Sequence, residues 1–524
     1  MTLVQSVYAI SLALLSASAL AQTPLLPQKT SSTVFQTFSA PTGTTSLFPG
    51  NTAWTVTQDG ALWLGTLHGL WRYTRSGWEY FGGLRYLASD EVRALASLPS
   101  SRSGVSVVTS NGVTNLDFVP MTLQAKASWF ERQVEDRHNR HGMVADSILT
   151  RAGDPSTNQM ASSDNDGLWT AMYGASQCFR YAVTKSEEAR TRAVRSVEAL
   201  LYLEQITGIS GFPARSYIKH GEMQPPDGTW YDNPAEGLRW KADTSSDEIV
   251  GHFFLFSIAF DTLPDVQLKG RIAATTRRIM DHILSHGYNL IDRTGQPTRW
   301  GKWSPQYFAS KEGRPDSALN ALELLSFLRA ARHITGDAKY DVEYQKVAFR
   351  MGYAKVSTRY LELAEEINYS DEELAMLSFY TLFRYERDAA LLPLYREALE
   401  GWWHNERRER NPLWNLIYLH SQSGVAVTDR DRLLAEGFLT LQQIPLLLIT
   451  WTVDNTHRRD VKWDRSEDRF NARQSTTWLP PDERPVMKWN GNPFSVNGGD
   501  GGKSEDDGSI YLLPYWLGRY WKHW

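Results

Sequence analysis

From Met121 onward apolar residues recur at three- and four-residue intervals, the period of a helix face, and the runs come in pairs separated by Gly, Pro, Trp and charged residues. The spacing predicts twelve helices, near 121–138, 166–184, 186–206, 245–261, 265–287, 316–335, 338–362, 370–386, 389–405, 411–421, 429–444 and 505–522. Six of them, beginning near Asp166, Ser245, Asp316, Ser370, Asn411 and Glu505, are apolar on most sides, and each follows a dense polar or aromatic motif. A helix that is hydrophobic nearly all round has to be covered on all sides, whereas the partners have one polar face. The expected fold is therefore mainly α, an (α/α)6 toroid of six inner and six outer helices. The first helix serves as outer partner of the last, which favours closure over an open α-solenoid, and the six motifs meet at one mouth.

Upstream the period changes. After a polar lead over 22–50, short alternating runs broken by Gly occupy 51–119 and predict strands. The stretch Asp59-Gly60-Ala61-Leu62-Trp63-Leu64-Gly65-Thr66-Leu67-His68-Gly69-Leu70-Trp71-Arg72-Tyr73 is echoed by Val107-Val108-Thr109-Ser110-Asn111-Gly112-Val113, with Thr66 and Gly69 placed 43 residues before Thr109 and Gly112. Propeller blades recur at about 40 to 50 residues, and this wording resembles the repeat of two-component regulator propellers. Two copies cannot close a ring of four to eight blades. A small N-terminal β module of propeller-like repeats is expected, with a plain antiparallel meander as the alternative. The layout is then a leader over 1–21, a polar linker over 22–50, the β module over 51–119 and the toroid over 120–524.

The first segment reads as an export signal, because Tyr8 to Leu20 is apolar and Ala19-Leu20-Ala21 offers the small residues a signal peptidase inspects. No Lys or Arg precedes it. A secreted or periplasmic protein is expected. The 524-residue chain contains 20 Trp, 23 Tyr and 20 Phe, ample for a large core and for flat faces on which sugar rings stack. Its net charge of -4 and lack of basic runs argue against nucleic acid as partner. Pro445 and Gln443 interrupt the best apolar stretch, around Leu446 to Val453, so no membrane span is expected. The single cysteine, Cys178, excludes an intramolecular disulfide and reads as a buried thiol.

Chemistry is concentrated in the connections. Arg137-His138-Asn139-Arg140-His141-Gly142 gathers four cationic or protonatable side chains; these suit an acidic substrate group, and equally a helix C-terminus that favours positive charge. Ser162-Ser163-Asp164-Asn165-Asp166-Gly167-Leu168-Trp169 opens the first inner helix, with Ser163 or Asp164 as cap and Asp166 lacking an evident structural duty. Its Asp-x-Asp-Gly spacing lacks the later Glu of a calcium loop. Trp240 to His252 opens the second, and Glu248 and His252 form an i, i+4 pair in an otherwise apolar helix. The order Ser246-Asp247-Glu248 returns as Ser370-Asp371-Glu372 at the fourth, placing two carboxylate clusters at one cleft or, alternatively, capping two helices. Paired carboxyls are what acid/base glycoside hydrolysis requires. Arg299-Trp300-Gly301-Lys302-Trp303, Arg314-Pro315-Asp316, Pro412-Leu413-Trp414 and Lys488-Trp489-Asn490 add aromatic faces, amides and charge, and a Gly-rich loop over 498–508 leads into the last inner helix.

From about Met121 to the end, this architecture and motif placement resemble the six-hairpin toroid class of carbohydrate-active proteins, which contains glycoside hydrolases, unsaturated uronyl hydrolases and polysaccharide lyases. The resemblance implies a carbohydrate partner, including the acidic glycans, but transfers no catalytic residue. On the residues themselves, the candidate catalytic carboxyls are Glu248, Asp371, Asp166, Asp247 and Glu372. The candidate substrate-binding residues are His141, Arg140, Trp169, Arg215, Trp240, His252, Trp300, Trp303, Trp414 and Asn490. No metal or cofactor is expected. The leading expectation is an exported glycoside hydrolase. A uronate lyase using His141, Arg140, Tyr217, Arg215 or His252 and a non-catalytic glycan-binding sensor are the alternatives.

Overall fold

The computed structural model describes residues 25–34, 52–422 and 426–524. The leader over 1–21 and most of the polar lead therefore lie outside the described residues. Part of the lead expected as linker, Leu25–Val34, is a strand, β1.

The β module consists of two four-stranded antiparallel sheets. In the first, β2 (Ala53–Val56), β3 (Leu62–Thr66), β4 (Gly69–Thr74) and β5 (Gly77–Phe81) form a meander. In the second, β6 (Val92–Ser97), β7 (Val105–Thr109) and β8 (Val113–Thr122) follow in turn, and β1 pairs with β8 from Leu25 opposite Thr122 to Val34 opposite Val113. The sequence echo has a physical basis: Thr66 Oγ1 donates to the Gly69 carbonyl at 2.8 Å and Thr109 Oγ1 to the Gly112 carbonyl at 3.0 Å. Each glycine has positive φ, +105° at Gly69 and +153° at Gly112, which a side chain would resist. Trp63, Leu70, Phe81, Val92, Val105, Val107 and Leu116 fill the core between the sheets.

Twelve main helices follow among the described residues: α1 (Leu123–Arg137), α2 (Asp166–Thr184), α3 (Glu187–Gln205), α4 (Ser246–Thr262), α5 (Val266–Ser285), α6 (Ser317–Thr335), α7 (Ala338–Gln345), α8 (Tyr369–Tyr385), α9 (Leu392–Glu406), α10 (Pro412–Ser421), α11 (Val427–Gln443) and α12 (Ser509–Tyr520). Caps explain several starts: the side chains of Thr122, Ser186, Asp265 and Asn411 each accept a backbone N–H of the first turn. Two sequence expectations shift. The helix expected over 338–362 is broken, because Gly352 at φ +77° cannot continue a right-handed helix. The last inner helix begins at Ser509, since Glu505 is drawn into a short strand against Ser147 and its carboxylate accepts Arg137 Nε at 2.6 Å and Nη2 at 2.9 Å.

The ring closes. α2 packs on α4, α4 on α6, α6 on α8, α8 on α10, α10 on α12, and α12 on α2. Outside it, α3 lies against α2, α5 against α4 and α6, α7 against α6, α9 against α8, α11 against α10, and α1 against α12. One continuous apolar core runs through the toroid. Small residues permit the tightest approach: a Cβ on Gly251 of α4 would come within 2.9 Å of the Leu168 Cα of α2. The closing seam is polar as well as apolar. Trp516 Nε1 donates to Glu131 at 3.0 Å and Tyr511 Oη to the Leu123 carbonyl at 2.8 Å.

At the same seam Lys126 is fully buried, and its ammonium donates to the carbonyls of Leu441 at 3.0 Å, Gln442 at 2.8 Å and Ile444. These are the carbonyls with which α11 ends, where the helix dipole favours a cation. Lys126→Met keeps the bulk but leaves those carbonyls without their donor, each such loss being worth about 1–3 kcal/mol. A thermal melt of this variant is expected to show destabilisation of about 3 kcal/mol; an unchanged melting temperature would remove Lys126 from the closure of the ring.

Candidate active site

The starts of successive inner helices adjoin one another, since Asn165 before α2 donates to Asp247 of α4 at 3.2 Å and the charges of Asp247 and of Asp316, at the start of α6, act on Asp371 of α8; this end of the ring is its mouth. Asp247 in the first turn of α4, Asp316 at the N-terminus of α6 and Asp371 in the first turn of α8 come from three successive inner helices and remain partly exposed. Asp316 occupies the N-cap position yet makes no capping bond; its Oδ2 accepts the Tyr307 hydroxyl at 2.6 Å. The three carboxyls share one electrostatic environment. Burial pushes Asp371 up to about 7, helped by the charges of Asp316 and Asp247 and opposed by Arg469 and by a hydrogen bond from Asn368. Burial likewise raises Asp316. Although a helix N-terminus stabilises a nearby anion, desolvation outweighs that help at Asp371.

Asp247 is oriented by a chain of hydrogen bonds. Arg215 donates to the carbonyls of Asp164 at 2.8 Å and Asp243 at 3.2 Å and to Asn165 Oδ1 at 2.6 Å. Ser245 Oγ also donates to Asn165 Oδ1, at 3.2 Å. With its carbonyl oxygen so engaged, Asn165 presents its Nδ2 to Asp247 Oδ1 at 3.2 Å. Beneath the mouth lie two sealed carboxyls. Glu323 of α6 accepts Trp303 Nε1 at 2.8 Å on one oxygen and has no hydrogen-bond partner on the other. Glu373 of α8 has an unpartnered Oε1. Burial raises Glu323 well above the usual range and Glu373 to about 8, and the charge of Asp247 bears on both.

Other carboxyls singled out in the sequence face elsewhere. Asp166 is buried and saturated, accepting Ser163 N and Oγ at 2.7 Å each, Arg140 Nη2 at 2.7 Å and Ser216 Oγ. It thus has the structural duty that the sequence did not reveal, tying the start of α2 to the Arg140 turn and to the strand Ser216–Lys219. Glu248 is sealed between α4 and α2. Its Oε1 accepts Gly167 N at 3.2 Å, its Oε2 has no partner, and burial raises it well above the ordinary carboxyl range. A side chain on Gly167 would collide with that oxygen. The charges acting on Glu248 include Arg215, Asp166 and Asp247, whereas those acting on Asp371 include Asp316 and Asp247; Asp247 is common to both. Glu372 is buried with Glu406 and Glu409 on the side of α8 turned towards α9 and α10, and burial with their charges drives it well upward.

The expected substrate-binding residues divide similarly. His252 is buried with its two ring nitrogens against the carbonyls of Glu248 at 2.6 Å and Leu200 at 3.1 Å, which places it in the seam between α4 and α3. Arg140 is held by Asp166, the Tyr217 carbonyl and Glu222, and His141 meets Glu222 at 2.6 Å and stacks on Tyr217. Trp240 and Trp414 are core residues, and Trp303 is a core residue bonded to Glu323. Trp169 is 7% exposed beneath Lys488, whose Nζ lies 4.6 Å from its ring centroid. Trp300 is open to solvent under Arg299, and Asn490 is partly exposed. Of the candidates Asp166, Glu248, His252 and Asp371, the first three are completely enclosed and only Asp371 reaches the opening. Asp316, Asn165 and Tyr307 enter the site instead; the acidic start of the third inner helix was the one sequence signal for them. Among the described residues, no group of three or more His, Cys, Asp or Glu side chains is placed to hold a metal ion. No described helix is long and apolar enough to cross a membrane.

No protein-family model matches the chain, and no curated protein matches it. Among solved structures it is similar to a mutant of the unsaturated glucuronyl hydrolase from Streptococcus agalactiae complexed with dGlcA-GalNAc6S, with a TM-score of 0.38 and 10% identity over 77% of this chain and 92% of that one. It is also similar to cellobiose 2-epimerase from Bacillus thermoamylovorans B4167, with a TM-score of 0.39 and 9% identity over 75% and 97%. A family 76 glycoside hydrolase from a bovine Bacteroides thetaiotaomicron strain has a TM-score of 0.28 and 10% identity over 73% and 95%.

The placement of Glu248 has a measurable consequence. Its folded-state proton affinity is raised above that of the unfolded chain, so its favourable contribution is complete in acid and is lost as pH rises above the ordinary carboxyl range. Glu248→Gln mimics the protonated acid. The variant is expected to match the parent's melting temperature near pH 5 and to exceed it increasingly towards pH 9; a variant less stable at alkaline pH would show that the carboxylate itself is required.

Proposed function

We propose that the protein is a carbohydrate-active enzyme, a glycoside hydrolase in which Asp371 and Asp247 carry the acid/base chemistry. The observation that carries this reading is the meeting of partly exposed carboxyls from successive inner helices at one mouth, with Asp371 pushed up to about 7. A carboxyl with that proton affinity still holds its proton near neutrality and is suited to protonate the leaving glycosidic oxygen. Asp247, aligned by Asn165 and Arg215, is suited to activate water or to attack the anomeric carbon. Trp300 supplies an exposed aromatic face on which a sugar ring can stack. The apolar stretch from Tyr8 to Leu20 and the Ala19-Leu20-Ala21 site support export of the protein.

The lyase alternative has less support. Its base candidates are committed: His141 to Glu222, His252 to two backbone carbonyls, and the Tyr217 hydroxyl raised by burial to about 12. Arg140, which would neutralise a uronate, already faces Asp166 and Glu222.

The test is a polysaccharide panel assayed both for new reducing ends and for absorbance near 235 nm, the latter marking an unsaturated uronate. Reducing ends without absorbance are expected, whereas reducing ends accompanied by that absorbance would install the lyase. Asp371→Asn is expected to lower kcat by about 10²- to 10⁴-fold, and the parent's rate should fall as pH rises through about 7, where Asp371 loses its proton. Protonated Asp371 also favours the folded state below that pH, so the Asn variant should not be less stable at neutrality. Glycan binding without turnover in the parent would instead identify a sensor.

A further inference from the structure

Carboxyls line the mouth, and the basic side chains that act on them are shared with other carboxylates. Asp247, Asp316 and Asp371 line it, and the sealed carboxyls Glu323 and Glu373 beneath each present an oxygen without a hydrogen-bond partner. The basic side chains whose charges bear on Asp316, Asp371 and Glu373 include Lys302, Arg469 and Lys488. Each already faces other carboxylates. Lys302 Nζ lies 3.4 Å from Glu312, and Arg469 Nε lies 3.7 Å from Glu366. Lys488 Nζ lies 3.7 Å from Asp146 and 3.9 Å from Asp506 while covering Trp169. Arg215 is taken up by Asn165 and two carbonyls. A uronate carboxylate or a sulfate entering here would add a like charge to a cluster that already repels itself. An ammonium group would supply the missing charge.

We propose that this mouth selects an aminoglycan, a chain of hexosamine units with free amino groups, and that Asp316 with its neighbours Asp247 and Asp371 receives the substrate ammonium. The inference deepens the glycoside hydrolase reading and rests on it for the identity of the site. It divides the labour among the three carboxyls: Asp371 and Asp247 act on the glycosidic bond, while Asp316, held by the Tyr307 hydroxyl, determines specificity. Burial raises the proton affinity of both carboxyls below, and the unpartnered oxygen of each is an unmet hydrogen-bonding group beneath the mouth. A free ammonium brings three donors to a place whose open side chains are acceptors. N-acetylation removes that charge at nearly the same position, which makes it the sharpest comparison.

The experiment uses the full chain with three oligosaccharides of equal length: glucosamine oligomers, their N-acetylated counterparts, and oligogalacturonates. Affinity is measured by calorimetry at low and high salt, and chain cleavage is followed in the same samples. The glucosamine oligomer is expected to bind at least about tenfold more tightly than either of the others at low salt, and the margin should shrink at high salt. Asp316→Asn, which keeps the side-chain shape, should erase most of that margin; a circular-dichroism melt run in parallel establishes that the variant is folded. Equal affinity for the amine and its N-acetyl form, tighter binding of the uronate, or no binding to any of the three would overturn the proposal. Glucosamine oligomers that bind with this selectivity but are not cleaved would uphold it and remove the hydrolase reading. Cleavage confined to the neutral or uronate oligomers would do the opposite.

Discussion

Six helices with almost no polar face cannot be placed at a surface, and the rest of this structure follows from the need to cover them. Each inner helix borders two others, and a ring is the arrangement in which none is left at an end. Closure depends on the first and last helices meeting, which is why α1, Glu131, Lys126 and the carbonyls ending α11 are bound together there. A cation buried against a helix C-terminus has a desolvation cost, yet it satisfies carbonyls that would otherwise be buried without donors.

The ring also determines where chemistry can occur. Along the helix bodies the interior is filled by side chains, so polar groups collect where the inner helices begin. These ends hold unsatisfied N–H groups that favour acidic side chains in the first turn, and Asp247, Asp316 and Asp371 all sit there. Crowding them into one partly dry mouth reverses the usual effect: mutual repulsion and lost hydration hold the proton on Asp371. A carboxyl poised near neutrality is therefore a consequence of packing, not of its local sequence.

The β module is attached through specific contacts at the far end of the chain. Arg85 donates to the carbonyls of Asp482 at 2.8 Å and Arg484 at 3.0 Å, and the Arg458 guanidinium lies 4.5 Å from the Tyr80 ring centroid. The Thr-x-x-Gly turns ending at Gly69 and Gly112 shape its two sheets in the same way, which is why the 43-residue echo is visible in the sequence.

Most of the architecture was legible because it rests on local periodicity. The apolar spacing located twelve helices, distinguished inner from outer by the presence or absence of a polar face, and implied that the motifs before α2, α4, α6, α8, α10 and α12 would share one end of the ring. It could not tell which residue of each motif faces the opening. Adjacent positions on a helix differ by about 100° of rotation, so Asp247 and Glu248, or Asp371 and Glu372, are equally plausible as written yet point in different directions. On an all-apolar helix no polar stripe fixes the rotation. It is fixed instead by contacts distant in sequence: Gly251 against Leu168, Glu248 against Gly167, Glu372 against Glu409. The same contacts enclosed Asp166 within the reach of Arg140 and Ser216 and left Asp316 open. Local periodicity thus determined the elements and their order, while long-range packing chose the side chains at the mouth, because the rotation of a buried helix about its own axis is decided only by its neighbours.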